Sequence, residues 1–315
     1  MKSDVTAATI QTGAGSGALA STRVKAALQA QAHVKVPHLT SHERRNVRLP
    51  LRPSFLPHRY RNDLIALAAF YRETRTLGLA AGTVDGCVRL DAWEASVRHM
   101  TDIHRSSHPV LIALAAAHLP TQPLLDLIEA QRMRAKTTSY ATHIDLIRYC
   151  ALAANPLGRL VLAMFGDEDF ESAALSDALC TALLQTQLWR DVSRDYVRGR
   201  VYLPQEDMRL FGVAEEGLAE AVRQRRAGTN VRALIAYEVE RTHYLLAQGA
   251  LIANVLHRRA RLDCALLVAD GQAMLAAIAK QGYDPFSRRP TIGKLERSRA
   301  IIQSIHVLGA LHPHG

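Results

Sequence analysis

After Asn46, apolar positions recur at three- and four-residue steps along most of the chain, the spacing that lays one apolar stripe along an α-helix. The segments Asn62–Thr76, Leu124–Arg134, Ile144–Ala153, Ser172–Arg198, Val231–His257 and Leu262–Gln281 carry it most clearly. Breaks fall at Pro50, Pro53, Pro57, Pro109, Pro120, Pro123, Asn155-Pro156, Gly166, Gly199, Pro204 and Gly212, where the backbone loses a donor or gains left-handed freedom. No block alternates with the two-residue period of a strand, and no period of about 20–50 residues repeats. The pattern predicts one all-α domain over 46–302. Residues 1–45 are rich in Ala, Ser, Thr and Gly and read as a disordered tail, with 303–315 as a flexible C-terminal tail. The first stretch lacks the apolar core of a secretory signal, and its acid-free run Val5–Ser41 only faintly resembles a transit peptide.

Composition narrows the class. With 315 residues, 48% apolar and 22% charged, the chain has the length and balance to bury a core without staples. Cys87, Cys150, Cys180 and Cys264 lie far apart with no CxxC spacing, which argues against a disulfide framework or a structural zinc site and fits a reducing, cytoplasmic setting. No run approaches 18 uninterrupted apolar residues, since Ala250–Leu256 is cut off by His257, Arg258 and Arg259, so a spanning helix is not expected. Lys+Arg exceed Asp+Glu by 39 − 29 = 10, a surplus that favours anionic partners. The basic clusters Arg258–Arg261 and Arg288–Lys294 lack the interleaved aromatics that stack bases, so a phosphate-bearing substrate or an acidic leaflet at the inner membrane face is favoured over nucleic acid. His104 and His108 have i,i+4 spacing, but Pro109 follows and no acid completes a metal set; helix-end histidines are the expectation.

Chemistry concentrates in Gln187-Leu-Trp-Arg-Asp191-Val-Ser-Arg-Asp195-Tyr-Val-Arg-Gly199-Arg200-Val-Tyr202-Leu-Pro204. Asp191 and Asp195 share one helix face near its C-terminal end, where acids oppose the helix dipole and repel each other. Ion pairing with Arg190, Arg194 and Arg198 on a solvated surface is the bland explanation. A divalent cation is the sharper one: carboxylates on adjacent turns can share Mg²⁺, which keeps positions open for phosphate oxygens while arginines take the remaining charge.

The stretch Trp189 to Asp195 followed by Gly199-Arg200-Val-Tyr202-Leu-Pro204 resembles the second aspartate motif of squalene and phytoene synthases. Tyr149-Cys-Ala-Leu-Ala-Ala-Asn155-Pro156-Leu-Gly158-Arg159 resembles that family's broken pocket helix. Gln281-Gly-Tyr283-Asp-Pro-Phe-Ser-Arg288-Arg289-Pro290 resembles the signature of its hydroxysqualene synthase branch, as does Trp189 before the motif. The similar stretches span roughly Leu56 to Ile301. The resemblance implies a single helical bundle around a central apolar cavity, Mg²⁺ on aspartates at its mouth, a prenyl diphosphate substrate and a place in isoprenoid and hopanoid biosynthesis. Presqualene diphosphate converted to hydroxysqualene is the expected reaction, with head-to-head prenyl transfer as its relative. By the same resemblance Asp191 and Asp195 are the metal ligands and, with Tyr202, the catalytic residues. Arg75, Arg190, Arg200, Tyr140, Asn155 and Gln187 are expected to meet substrate; Gln187 stands where the branch usually carries asparagine.

The first aspartate motif is missing. After Phe70-Tyr71-Arg72-Glu73-Thr74-Arg75, the positions expected to be acidic are Gly78, Leu79 and Gly82, and Arg134 replaces a further acid. Glu73 or Asp85 could substitute, though a solvated acid is the plainer reading of each. The alternative function is therefore a catalytically silent paralogue that binds prenyl diphosphate or partners an active synthase. Tyr149 reads as core, and Asn155-Pro156 as a helix kink.

Overall fold

The computed structural model describes residues 58–101, 108–256 and 258–293. The tails expected at 1–45 and 303–315 lie outside the described residues, as do His104 and Lys294. In chain order the described helices are α1 His58–Leu79, α2 Val84–Arg98, α3 Pro109–Ala116, α4 Thr121–Lys136, α5 His143–Ala153, α6 Asn155–Phe165, α7 Phe170–Val197, α8 Gln205–Leu210, α9 Glu215–Gln224, α10 Thr229–Ala250, α11 Ile252–Val255 and α12 Arg258–Lys280. Among the described residues the only bridge of β type is an isolated one, Ser139 to Val201. The fold is the all-α bundle that the periodicity predicts.

The 28-residue helix α7 is its axis and packs against α5, α6, α10 and α12. Trp189 is wholly buried there, its indole N–H donating to Thr242 Oγ1 on α10 at 2.7 Å. That bond lets a large aromatic sit in the core without stranding its polar atom. Asn155-Pro156 breaks what would otherwise be one helix into α5 and α6, with Ala154 at φ −128°, ψ −46° between them. The break is tied down by Thr181, whose hydroxyl donates to Asn155 Oδ1 at 2.9 Å.

The helix predicted over Val231–His257 ends early. At Leu251 the chain tightens into i→i+3 turns (Leu251 N to Gln248 O, 3.2 Å; Asn254 N to Leu251 O, 2.9 Å), which set α11 off from α10. Arg261 holds the next corner by donating to the carbonyls of Leu256, at 2.7 Å, and Asn254, at 3.3 Å. Part of the basic cluster expected at a membrane surface is thus used to cap the chain. By length and composition alone, His143–Phe165 and Ala260–Lys280 could cross a membrane, but within the bundle 50% and 39% of those windows are buried. The four cysteines are unbonded.

Candidate functional site

The C-terminal end of α7 is built by the glycine in the motif. Gly199 adopts φ +71°, the left-handed conformation that closes a helix without the steric cost a side chain would bring. Its N–H bonds Tyr196 O at 2.8 Å, and the Arg200 N–H bonds Asp195 O at 2.9 Å, the paired contacts of a Schellman cap. The Arg200 side chain turns to the end of α4, donating to the carbonyls of Arg134 and, at 3.3 Å, Thr137. Val201 N bonds Thr138 O at 2.8 Å and Gln205 N bonds Tyr140 O at 2.9 Å, so the strand-like exit from α7 is stitched to the loop after α4. This pairing is what sets Tyr202 beside Tyr140.

Tyr140, Tyr149 and Tyr202 form a closed trio, with ring centroids 5.7 to 5.8 Å apart in all three pairs. All are buried, and the Tyr140 hydroxyl has no hydrogen-bond partner. Burial, reinforced by the neighbouring phenols, pushes Tyr140 and Tyr149 well above the usual tyrosine range, while Arg134 pulls the other way on both. These rings are therefore neutral, and their faces present negative potential. Tyr149, read from sequence as core, is both core and a member of this trio.

Asp191 sits 19% exposed between the guanidiniums of Arg190 and Arg289, with Arg194 Nη1 farther off at 3.9 Å from Oδ1, so part of the expected ion pairing along α7 is present. Arg190 Nη2 donates to Oδ2 at 2.6 Å; Arg289 donates through Nε to Oδ1 at 2.5 Å and through Nη2 to Oδ2 at 3.0 Å. Burial works to raise the Asp191 pKa, but bonds from Arg289 and Arg190 outweigh it and hold the carboxyl below its ordinary range. Asp195 behaves oppositely. Half-buried, it forms no ion pair among the described residues; burial and the Asp191 charge raise its pKa against the pull of Arg198, Arg134 and Arg194.

Arg289 is delivered by the C-terminal signature. Buried Asp284 accepts at Oδ1 from the backbone N–H groups of Ala227 (3.0 Å), Phe286 (3.2 Å) and Ser287 (3.1 Å), and Phe286 anchors in the core. Gln281 bonds the carbonyls of Asp284, at 2.6 Å, and Arg288. The result is a stiff turn that aims the next arginine at Asp191. Sequence reading placed Arg289 in a basic cluster and missed this role, because its partner lies on another helix.

The first-motif positions themselves carry no acid, and the carboxylates of Asp91, Glu94 and Glu129 on α2 and α4 are gathered on Arg132. Gly78, in the last turn of α1, lies so close to α4 that a Cβ there would come within 2.5 Å of Gln131 Oε1 and 2.7 Å of its Cβ. Leu79 is 73% exposed, and Gly82 is exposed as well. Glu73 faces His108 Nε2 at 3.3 Å and Asp85 is exposed in the first turn of α2, so neither stands in for the lost acids. Arg75 is exposed, its guanidinium 5.8 Å from the Tyr71 ring centroid. Gln187, one turn before Asp191, is exposed too, and Asn155 is taken up by Thr181. The residues that could hold a cation are Asp191 and Asp195, on one wall only; Asp195 is the one of the two with no ion pair among the described residues.

An apolar cleft of about 790 Å³, counting its open mouth, lies between α1, α6, α7, α11 and α12. Leu67, Val161, Leu179, Leu183, Leu256 and Leu267 supply much of its wall. Leu183 and Asp191 are eight residues apart on α7, roughly 12 Å along the axis at ~1.5 Å per residue. One helix therefore carries part of the cleft wall and, farther along, the charged pair.

A second acidic group was not foreseen. His143, Asp207 and Glu238 come within 4.8 Å of one another, a geometry compatible with a metal. Arg241 already bridges the two acids, at 2.7 Å to Asp207 and 2.8 Å to Glu238. Burial raises Glu238 to about 8, opposed by Arg241, and lowers His143 to about 4. The guanidinium serves here as the cation.

Comparison with known proteins agrees with this architecture. Residues 47–296 match the squalene/phytoene synthase family profile. Over 250 residues the chain is 30% identical to hydroxysqualene synthase of Rhodopseudomonas palustris, covering 77% of this chain and 82% of that one. It is 28% identical over 248 residues to phytoene synthase of Mycobacterium tuberculosis, covering 76% and 80%. The crystal structure of squalene synthase HpnC from Alicyclobacillus acidocaldarius superposes with a TM-score of 0.66 at 32% identity, covering 84% of this chain and 97% of that one. With the paired aspartates, the broken pocket helix and the arginine turn all in place on a helical bundle, the chain belongs to the squalene/phytoene synthase family.

Proposed function

We propose that this member of an isoprenoid-biosynthetic family ionises a prenyl diphosphate, converting presqualene diphosphate to hydroxysqualene. The observation that carries the proposal is the division of α7 into an apolar wall at Leu179–Leu183 and a rim of acid and arginine at Arg190–Asp195, which suits a molecule with a hydrocarbon body and a polyanionic head. The hydroxysqualene synthase relative and the branch signature at Gln281–Pro290 support this reaction, and the phytoene synthase relatives support head-to-head joining of two prenyl diphosphates as its competitor.

In this reading Asp191 and Asp195 hold Mg²⁺, whose contribution is to neutralise charge building on the departing diphosphate. Arg190 and Arg289 exchange their bonds to Asp191 for bonds to phosphate oxygens, and Arg134 faces the same region. Arg200 acts by holding the end of α4 in place, since its guanidinium is committed to backbone carbonyls. The C–O bond to the diphosphate breaks with its electron pair leaving on oxygen. The resulting carbocation lies against the faces of Tyr140, Tyr149 and Tyr202, which stabilise positive charge without reacting with it. Ring bonds of this cyclopropylcarbinyl cation shift and break to give an open-chain allylic cation; a water oxygen then bonds to that cation, and its proton passes to the released diphosphate.

A silent prenyl-diphosphate binder is the second reading, favoured by the packing of Gly78 on Gln131, which closes the space a first-motif side chain would need. Calorimetric titration with farnesyl S-thiolodiphosphate, a slowly ionising analogue, tests the shared core of both: binding strengthened by Mg²⁺ and lost in Asp191→Ala is expected. Turnover of presqualene diphosphate separates the two, and binding indifferent to Asp191 would exclude both.

A further inference from the structure

Asp263 is the one carboxylate lining the apolar cleft. It stands in the first turns of α12 on the same face as Ala260, Cys264 and Leu267, all of which reach the cleft wall. Asp263 is 5% exposed, and neither carboxyl oxygen has a hydrogen-bond partner. Buried polar atoms are almost always paired, and an unpaired carboxylate in apolar surroundings is among the more costly groups a core can hold. Its burial raises the pKa to about 6, with no charged neighbour contributing to the shift. Among the described residues nothing uses this group: neither oxygen caps a helix end, pairs with an arginine or bonds across an interface between helices.

An acid that costs stability and serves no internal contact is accounted for by a ligand that completes it. The walls around it set that ligand's chemistry. A cleft with leucine and valine sides, open at its mouth, accepts an apolar chain segment. Two oxygens with free lone pairs call for a donor on that chain, and a hydroxyl supplies one without bringing a second charge into an apolar space. We infer that the cleft binds an apolar chain bearing a hydroxyl group, and that Asp263 is the residue that reads the hydroxyl. A site made to hydrogen-bond an OH discriminates against an analogue lacking it, because the unmatched polar group is then left buried.

The inference concerns the same cleft as the proposed reaction, whose product is itself an apolar chain bearing a hydroxyl, and deepens that reading without depending on the aspartate pair. Its test is calorimetric titration of the full chain with farnesol and with farnesyl methyl ether, which shares the chain and oxygen but has no O–H to donate. Wild type is expected to bind farnesol at least about tenfold more tightly than the ether. Asp263→Leu is expected to bring the two within about twofold, while Asp263→Asn, which keeps an accepting oxygen, retains a preference. Asp191→Asn is expected to leave the preference intact. Equal affinity of wild type for the two probes, or binding of neither, overturns the inference without a variant having to fold. A preference that disappears in Asp191→Asn overturns it too, since the hydroxyl would then be read at the charged rim. Loss of turnover with the alcohol preference preserved would count against the proposed reaction alone.

Discussion

Arg289 grips Asp191 with two bonds, Nε to Oδ1 at 2.5 Å and Nη2 to Oδ2 at 3.0 Å, across 98 positions of sequence. The pair locks the turn after α12 onto the motif helix and keeps the carboxylate charged. Because the folded-state pKa of Asp191 lies below its ordinary value of 3.8, the pair stabilises above that pH and the contribution is lost as pH falls through the depressed value. Arg289 is 35% exposed at its side chain, so solvent screens part of the attraction. Arg289→Met is expected to cost about 1 kcal/mol at pH 7. Urea unfolding of both proteins at pH 7 and at successively lower pH should show the gap closing below about pH 4; a gap constant with pH would mean that the arginine acts through packing instead.

The orphaned hydroxyl of Tyr140 gives an opposite pairing of stability and activity. Tyr140→Phe removes a buried polar atom that bonds nothing, which should raise stability by about 1 kcal/mol. If the hydroxyl meets substrate or the incoming water, turnover should fall at least about tenfold in the same variant. Thermal unfolding and product formation measured side by side decide this. A variant both more stable and fully active would reduce the hydroxyl to a structural cost.

Asp263 carries a pH signature. Its pKa is raised from 3.8 to about 6, so the folded state binds the proton more tightly than the unfolded chain. The corresponding stability is fully present below about pH 3.8 and lost as pH rises through 6. Asp263→Asn should match wild type near pH 3.5 and exceed it near pH 8 by at most about 3 kcal/mol. Denaturant titrations of both proteins across that range measure the difference directly, and a constant offset would contradict the assignment.

Close packing at Gly78 predicts that the lost motif cannot be restored by one substitution. A Cβ at this position meets Gln131 at 2.5 to 2.7 Å, inside any real contact distance. Gly78→Ala should destabilise by roughly 1–3 kcal/mol through overpacking. Gln131→Gly in the same chain should make the double variant less unstable than the sum of the two single ones. Strict additivity by equilibrium unfolding would show that α1 and α4 have room to shift.

Local pattern carried most of the fold. The observed bounds of α4, α5, α7 and α12 lie within a few residues of the segments marked by apolar periodicity, and the Asn155-Pro156 break divides α5 from α6 as the backbone chemistry of proline requires. The exception, Val231–His257, shows the limit: the pattern stays apolar through Leu251, and only the tightening of successive turns separates α11. At the site, the motif led to Asp191 and Asp195 on the last turns of α7 and to Tyr202 just past its cap. Their partners were less legible. Arg289 meets Asp191 from a turn in which Asp284 ties the chain to Ala227, and Arg200, read as a phosphate ligand, also donates through Nη1 to carbonyls at the end of α4. Asp263 and Asp270 fall on one face of α12, and nothing local distinguishes the buried Asp263 from a solvated acid.

The most direct measurement is turnover. Purified full-length protein is incubated with presqualene diphosphate and Mg²⁺, extractable products are identified by mass spectrometry, and released diphosphate is quantified. The expected result is hydroxysqualene and diphosphate in equal amounts, with both lost in Asp191→Ala and in Asp195→Ala although each variant remains folded. Intact substrate recovered from the wild-type reaction, or product formed equally well by the two variants, would contradict a reaction run from the aspartate rim of α7.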